Sequence, residues 1–542
     1  AIINEAHERG LVVPNRRERL TDEDTQAAGA YVAFPKKGLH DWIGSVDINS
    51  LYPSAIQALN MGNESIVGQL QPTMTDRFIK EKMAKGNSFA SAWEGLFGSL
   101  EYEAVMAKEV GTEITIEWAN GAQDTYSGAN IWKMIFDNNN PWILSANGTI
   151  FTYETEAVVP GLLARWYKER KELQAKMRDT TDPKERAFWD KRQLVKKINL
   201  NSLYGAILNP GCRFFDKRIG QSTTLTGRAI AKHMDAHINE ALTGTYDHTG
   251  DTIIYGDTDS CYFSAWPVLK DDIESGKMEW TKETAIQLYD RLADSVNESF
   301  PGFMKQAFHV PTKMGTIIKG GRESVASRGL FITKKRYAIM VYDHEGHRLD
   351  LEGKPGKIKA MGLDLKRSDT PVVIQNFLSD VLEQVLQGAG REQIVEHILK
   401  FKHEFKERPG WEKGTPKRVN NLTKYTKEEK RLGKANMPGH VRAGMNWNTM
   451  RRMNGDNYSI NIVDGMKIIV CKLKANPMGW TSIGYPTDEQ HIPKWFKELP
   501  FDDTAMEETI VDQKVDNLLA VLDWNLAGAT QTANTFNNLF EF

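Results

Sequence analysis

Two acids stand two residues apart in Tyr255-Gly256-Asp257-Thr258-Asp259-Ser260, between the apolar runs Thr252–Ile254 and Cys261–Phe263. Short β-rich runs around a Gly-Asp pair read as a hairpin. If strand alternation holds at its tip, both carboxylates point the same way. Paired carboxylates repel each other in apolar surroundings, so the tip is either a solvated turn or a place for cations. The hexapeptide alone leaves these readings level. A third carboxylate, Asp47, falls near the end of a strand expected over Ile43–Ile48. Asn49–Leu59 then reads as a turn into a helix, with Pro53 in the first turn. Backbone N–H groups at such a turn can take phosphate oxygens, although an ordinary strand-to-helix junction looks the same.

Cations that could meet a phosphate lie on a basic helix expected from about Val159, which carries Arg165, Lys168, Arg170, Lys171 and Lys176. A break at Thr180–Pro183 follows. Asp182 as N-cap, Pro183 and Glu185 start a second helix, expected to run to about Leu203 and stop at Tyr204-Gly205. Gln193, Lys197 and Asn201 are four apart and share one face. Lys197 and Arg170 can neutralise phosphate, and a solvated basic helix pair is the competing reading.

The elements that must position these groups are those of a mixed α/β chain. Residues 1–10 can form a helix, with a turn over Val12–Arg17 and a polar connection over Glu18–Gln26. Residues 66–140 read as an inserted elaboration, with helices over Phe89–Leu96 and Ala104–Val110, a strand over Glu113–Trp118 and a turn at Asn120-Gly121. Ala146–Phe151 reads as a hairpin. Thr333–Tyr342 reads as a strand preceded by the cations Lys334, Lys335 and Arg336. Helices are expected over Val372–Gln387, Arg391–Lys406 and Val511–Leu526. A cationic tract from Lys413 to Lys434 includes Trp411 and Tyr425 nearby and can track a nucleic-acid backbone or be a solvated surface. The apolar residues of the last segment, Phe536–Phe542, read as a docking peptide or as packing against the chain itself.

The 542 residues suffice for three or four domains, and a hydrophobic share of 40% with 26% charged residues is that of a globular protein. No apolar run approaches the roughly 20 residues of a membrane helix, and no partner membrane is expected. Cys212, Cys261 and Cys471 fit no zinc spacing and suggest a reducing compartment. A net charge of -2 leaves any nucleic-acid surface to local segregation of charge.

Taken in order, these motifs resemble the family B DNA polymerases, and within them the replicative polymerases of T-even-type bacteriophages. Asp47-Ile48-Asn49-Ser50-Leu51-Tyr52-Pro53-Ser54 is similar to the family's motif A, Lys197–Gly205 to motif B and Tyr255–Ser260 to motif C. Lys334-Lys335-Arg336-Tyr337 is similar to the Lys-x-Tyr element that grips the primer end. Three long motifs in the family's order are jointly specific. The similarity runs from about residue 10 to the last residue and is poorest over 66–140.

The resemblance implies an α/β (α+β) fold with a mixed or antiparallel palm sheet, two-helix fingers and a mainly helical thumb. It implies a connector over 1–40, palm over 41–159 and 206–370, fingers over 160–205, thumb over 371–530 and a clamp-binding tail over 531–542. Asp47 and Asp259 would bind two Mg²⁺ ions, with Mn²⁺ an alternative and Asp257 in support. Backbone amides of Ser50, Leu51 and Tyr52 would hold the triphosphate, Arg170 and Lys197 would clamp it, and Asn201 would support them. Tyr52 would exclude a 2′-hydroxyl, Tyr204 would line the nascent base pair, and Lys335, Tyr337 and Gly205 would contact primer or template. Leu539, Phe540 and Phe542 would engage the phage sliding clamp. Primer-template DNA and deoxynucleoside triphosphates are the implied substrates, and the cytoplasm of an infected bacterium the implied place.

Two departures stand out. Gln174 occupies a position where the family carries a lysine, with Lys171 or Lys176 as compensation. No Asp-x-Glu exonuclease site precedes Asp47, and Asp272-Ile273-Glu274 is no substitute, so the expectation is a chain without proofreading of its own, either working with a second polypeptide that carries a 3′–5′ exonuclease or shortened by truncation from a longer chain. The rivals are a catalytically idle scaffold for DNA and clamp, and a primase- or reverse-transcriptase-like nucleotidyl transferase. Asp47, Asp257, Asp259, Lys197 and Tyr52 together oppose the first, and the motif B helix with Tyr52 the second.

Overall fold

The computed structural model describes residues 1–15, 29–71, 113–137, 139–363, 367–433 and 436–522. The chain divides into two compact units. The first comprises Ala1–Lys36, Trp42–Val325 and Asp343–His347, and the second Lys37–Asp41, Ala326–Tyr342 and the chain from Arg348 onward. The expected turn at Arg16-Arg17, the Glu18–Gln26 connection, the helices over Phe89–Leu96 and Ala104–Val110, Lys434, and Leu539, Phe540 and Phe542 lie outside the described residues.

Helix α1 (Ile2–Glu8) opens the chain. Strand β1 (Gly38–Ile48) is longer than expected and leads through Ser50 into α2 (Leu51–Ala58). Ser50 is left-handed (φ 48°), so Pro53 falls in the first turn as its fixed φ favours. The least legible segment holds a five-stranded sheet, β4-β3-β2-β6-β5, formed by β2 (Ile66–Gln71), β3 (Glu113–Trp118), β4 (Gln123–Ser127), β5 (Trp142–Leu144) and β6 (Thr149–Thr152). Its β3–β4 turn contains Gly121 at φ 85°, the conformation that favours glycine there.

Helices α3 (Val158–Asp179) and α4 (Pro183–Ile207) form the antiparallel pair. Asp182 caps α4 by accepting from the Lys184 N–H at 2.9 Å. The stop expected at Tyr204-Gly205 is overturned: α4 runs through Gly205 to Ile207. Leu203 and Ile207, four apart, are both buried, and burying that stripe holds one more helical turn.

Helix α5 (Lys217–Thr243) begins at an Asp216 cap and ends at Gly244 in the left-handed conformation. It is buried on nearly every side from Ile219 to Asn239 and packs on α2, on β7 (Ile253–Asp257), on β8 (Ser260–Ser264) and on α6 (Lys282–Phe308). Its hydroxyls are satisfied locally. Thr223 and Thr224 donate to carbonyls one turn back at 2.8 and 3.1 Å, and Ser222 donates to Asn147 at 2.7 Å.

The main sheet has the order β11-β10-β9-β1-β8-β7, with β12 on β10. Here β9 is Gly320–Thr333, β10 Arg336–His344, β11 His347–Arg348 and β12 Lys357–Met361. Lys334 and Lys335 therefore make the turn between two strands, with Lys335 at φ 58°, where the sequence suggested cations ahead of a single strand.

In the second unit, α7 (Val372–Leu386) and α8 (Arg391–Lys406) match the expected helices. They share a core with α9 (Gly439–Met453) and the sheet β13-β14-β15, formed by Thr415–Arg418, Lys467–Lys472 and Ser482–Pro486. Lys413 does not belong to a basic surface. It is 2% exposed, and its ammonium donates to Glu507 at 2.7 Å and to the Lys406 carbonyl at 2.9 Å. The last expected helix begins as a wide turn over Glu508–Asp512 and continues over Gln513–Val521. No described helix is long and apolar enough to cross a membrane.

Candidate active site

Strand register brings two of the three acids together. Ser260 on β8 stands opposite Asp47 on β1 and, on its other side, opposite Asp257 on β7. Residues directly opposite one another share a face of a sheet, so Asp47, Ser260 and Asp257 form one row. Asp259 lies in the turn that follows. The sequence placed that turn at Gly256-Asp257, whereas it falls at Thr258-Asp259, with Thr258 at φ 60° and the Asp259 N–H donating to the Asp257 carbonyl at 2.7 Å. Strand alternation ends at Asp257, so period two does not govern how Asp259 points.

The tip is braced on both flanks. The Ile48 N–H donates to the Asp259 carbonyl at 2.8 Å, which ties the end of β1 to the turn. On the outer side, the Thr258 and Ala33 N–H groups bond with the Tyr31 and Gly256 carbonyls at 2.7 and 2.9 Å. Behind the strands lies Asp235 of α5, fully buried, its Oδ2 2.9 Å from where a Cβ on Gly256 would stand. Burial pushes the Asp235 carboxyl well above the usual range, against the opposing pull of the Cys261 thiol and Lys232.

Tyr52, on the first turn of α2, packs its ring 4.5 Å from that of Tyr204 on α4. The Tyr204 hydroxyl is hydrogen-bonded to that of Thr224 on α5. Gly227 gives Tyr52 its room, since a Cβ there would come within 2.9 Å of the ring. Burial raises the Tyr52 hydroxyl pKa first, then Tyr204, Asp259 and Asp257 raise it further, while Arg228 opposes them. The Tyr52 hydroxyl therefore sits in the field of both hairpin acids. Leu51 is buried, and the N–H groups of a first helical turn have no intrahelical acceptor.

On the helix pair, Arg170 donates to Gln193 at 3.2 Å, and Lys197 and Asn201 are exposed. Lys171 lies over the Tyr167 ring and Lys176 over the Trp189 ring, at 5.4 and 5.0 Å. Both candidates to replace the lysine absent at Gln174 thus lie over aromatic rings of this helix pair. Gly205 is exposed within α4, and a Cβ there would meet nothing within 4 Å. Lys335 is in the β9–β10 turn, and Tyr337 is 3% exposed with its ring stacked 5.3 Å from Phe331.

Sequence reasoning missed α5 and with it Thr224, Gly227, Arg228 and Asp235. The dipeptide Gly227-Arg228 was the available signal: a glycine inside a long helix marks a close approach.

Asp47, Asp257 and Asp259 offer only oxygen donors, and Cys261 is turned to the opposite face by strand alternation. Among the described residues no three His, Cys, Asp or Glu groups converge as a metal cage. A pair of carboxylates completed by phosphate oxygens is the usual Mg²⁺ arrangement, so the donor set fits that ion.

A model of DNA polymerase family B matches residues 1–438, and the chain belongs to that family. It is 25% identical over 493 residues to the DNA-directed DNA polymerase of Enterobacteria phage T4, covering 86% of this chain and 52% of that protein. The enzyme of Escherichia phage RB69 is 26% identical over 512 residues, covering 90% and 53%. A DNA polymerase of Pyrococcus glycovorans is 24% identical over 400 residues, covering 73% and 37%. The chain spans about half the length of the two phage relatives.

Proposed function

We propose that this chain extends a primer 3′-hydroxyl with deoxynucleoside triphosphates, directed by a template strand. The observation that carries the reading is the row Asp47–Ser260–Asp257 across three paired strands, with Tyr52 on the first turn of the helix that follows β1.

In this reading Asp47 and Asp259, supported by Asp257, would hold two Mg²⁺ ions. When bound, such ions lower the pKa of the primer hydroxyl and stabilise charge on the α-phosphate and the departing pyrophosphate. The rest falls to the chain's own groups. The backbone N–H groups of Ser50, Leu51 and Tyr52 receive triphosphate oxygens at the start of α2. Arg170 and Lys197 neutralise the same phosphates, Arg170 by its planar fork and Lys197 as a point charge. Asn201, one turn beyond Lys197, supports that face. The Tyr52 ring underlies the sugar and leaves no volume for a 2′-hydroxyl, while Tyr204, held by Thr224, lines the new base pair. Lys335 and Gly205 contact primer and template backbone, and Tyr337 supports that turn by its stack on Phe331.

Template-dependent extension by the wild type, compared with Asp259→Ala, tests the reading. Extension dependent on both template and Asp259 is expected. Incorporation that persists in the variant overturns it.

A further inference from the structure

Charged side chains of alternating sign run from α1 across α3 to α4. Glu5 is 7% exposed. One of its carboxylate oxygens accepts from Arg9 at 3.1 Å, and the other lies 2.8 Å from the Arg165 guanidinium on α3. Arg9 also donates to the Glu156 carbonyl at 3.0 Å. It lies across Gly161 in the first turn of α3, where a Cβ would stand 2.3 Å from its Nη2. Arg165 reaches Glu169 at 4.0 Å, and the second oxygen of Glu169 pairs with Lys196 on α4.

The ladder thus ends on the immediate neighbours of the two phosphate-binding cations. Glu169 precedes Arg170, and Lys196 precedes Lys197. The base of the pair is seated on α2, which both α3 and α4 contact, while most of α4 is exposed. Apolar burial therefore fixes the base and leaves the outer turns to polar contacts. Charge is well suited to that task, because an ion pair resists displacement without a packed surface. Removing Glu5 also leaves Arg9 and Arg165, two like charges, facing one site.

We infer that Glu5 is a positioning residue which, through Arg165 and Glu169, sets the angle of the α3–α4 pair. That angle determines how closely Arg170 and Lys197 approach an incoming triphosphate. The inference rests on the function proposed above, and its test has one arm that does not.

In the first arm, steady-state extension is compared for the wild type, Glu5→Gln, Glu5→Asp and Glu169→Gln. Both Gln variants should raise the KM for deoxynucleotide about fivefold, the effect of one partly screened ion pair, with kcat changed less than twofold. Glu5→Asp, which keeps the charge, should recover most of the loss. In the second arm, spin labels at Lys184→Cys and Ser275→Cys, with Cys212→Ser, report the distance distribution between the pair's tip and a distant point of the same unit. Glu5→Gln should broaden or shift it with no nucleotide present. A melting temperature lowered in both Gln variants, with KM and distance distribution both unchanged, overturns the inference. A wild type without polymerase activity defeats the proposed function alone, and the label distances still decide the role of Glu5.

Discussion

Asp47 and Asp257 stand on paired strands whose neighbours are almost all buried, whereas Arg170 and Lys197 stand on two helices with broad solvent exposure. Each acid is placed by backbone hydrogen bonds on both sides of its strand. The cations are carried on long side chains, and the ion pairs beside them, at Glu169 and Lys196, can be screened by salt. In the proposed function the contrast is that of a fixed reaction centre and an adjustable clamp. A displacement of about 1 Å at reacting atoms can cost about a hundredfold in rate, while a clamp that binds before chemistry tolerates a changed angle.

The comparison can be broken by conservative substitutions. Asp47→Ala should lower extension by about 10³-fold. Asp47→Glu, one methylene longer, should do nearly as much damage, because the strand cannot move to compensate. If Asp47→Glu keeps more than about a tenth of wild-type activity, the acids are not fixed in the sense argued here. On the helix pair, Lys197→Ala should cost about 10–100-fold in kcat/KM, and Lys197→Arg should recover most of it. Equal loss in both variants would assign the clamp the same rigidity as the sheet.

Tyr52 belongs to both regions, since its ring meets Tyr204 of α4 while its hydroxyl feels the hairpin acids. Tyr52→Ala should lower discrimination against ribonucleotides by about 10–100-fold. Gly227→Ala, which pushes on the ring from α5, should lower it by a smaller factor, about three. Unchanged discrimination in both would remove the sugar-excluding role of Tyr52.

The smallest effect is one of acid stability in the α5–α6 layer behind the strands. His233 lies between the Tyr246 and Ser299 hydroxyls and stacks on Phe303 with ring centroids 4.1 Å apart. Burial, and then His237, lower its pKa to about 3. The folded value is thus below the unfolded one of about 6.5. The unfolded chain binds more protons between these values, so this contribution is complete above about pH 6.5 and is lost as pH falls toward 3. The urea midpoint of the wild type should fall more steeply from pH 7 to pH 5 than that of His233→Gln. Parallel slopes would show that His233 is not buried neutral.

What the sequence made legible follows the same division. Asp47, Tyr52, Lys197 and the Tyr255–Ser260 hairpin stand out because they fall in three motifs that resemble the family's in order, whereas strand, turn and helix-face spacing leaves a solvated turn and a basic helix pair as rival readings. Helix α5 did not, because a helix buried on nearly every side shows no apolar stripe, and its Thr and Ser residues look like loop until their bonds to the preceding turn are seen. Gly205 looked like a stop because its composition says so, and the buried pair Leu203 and Ile207 overrides it. Placing the turn at Gly256-Asp257 failed for a related reason. Thr258 adopts the left-handed conformation that glycine usually supplies.

That Asp47 and Asp257 share one opposite residue, Ser260, gives the hairpin an all-or-none character. Slipping β8 by a single residue away from the turn would present Cys261 to both acids at once and turn every β8 side chain to the other face. A misregistered chain would then be silent rather than partly active or error-prone. In the proposed function, specific activity per folded molecule counts chains whose three strands have paired correctly, so a refolding time course followed by primer extension should report strand register.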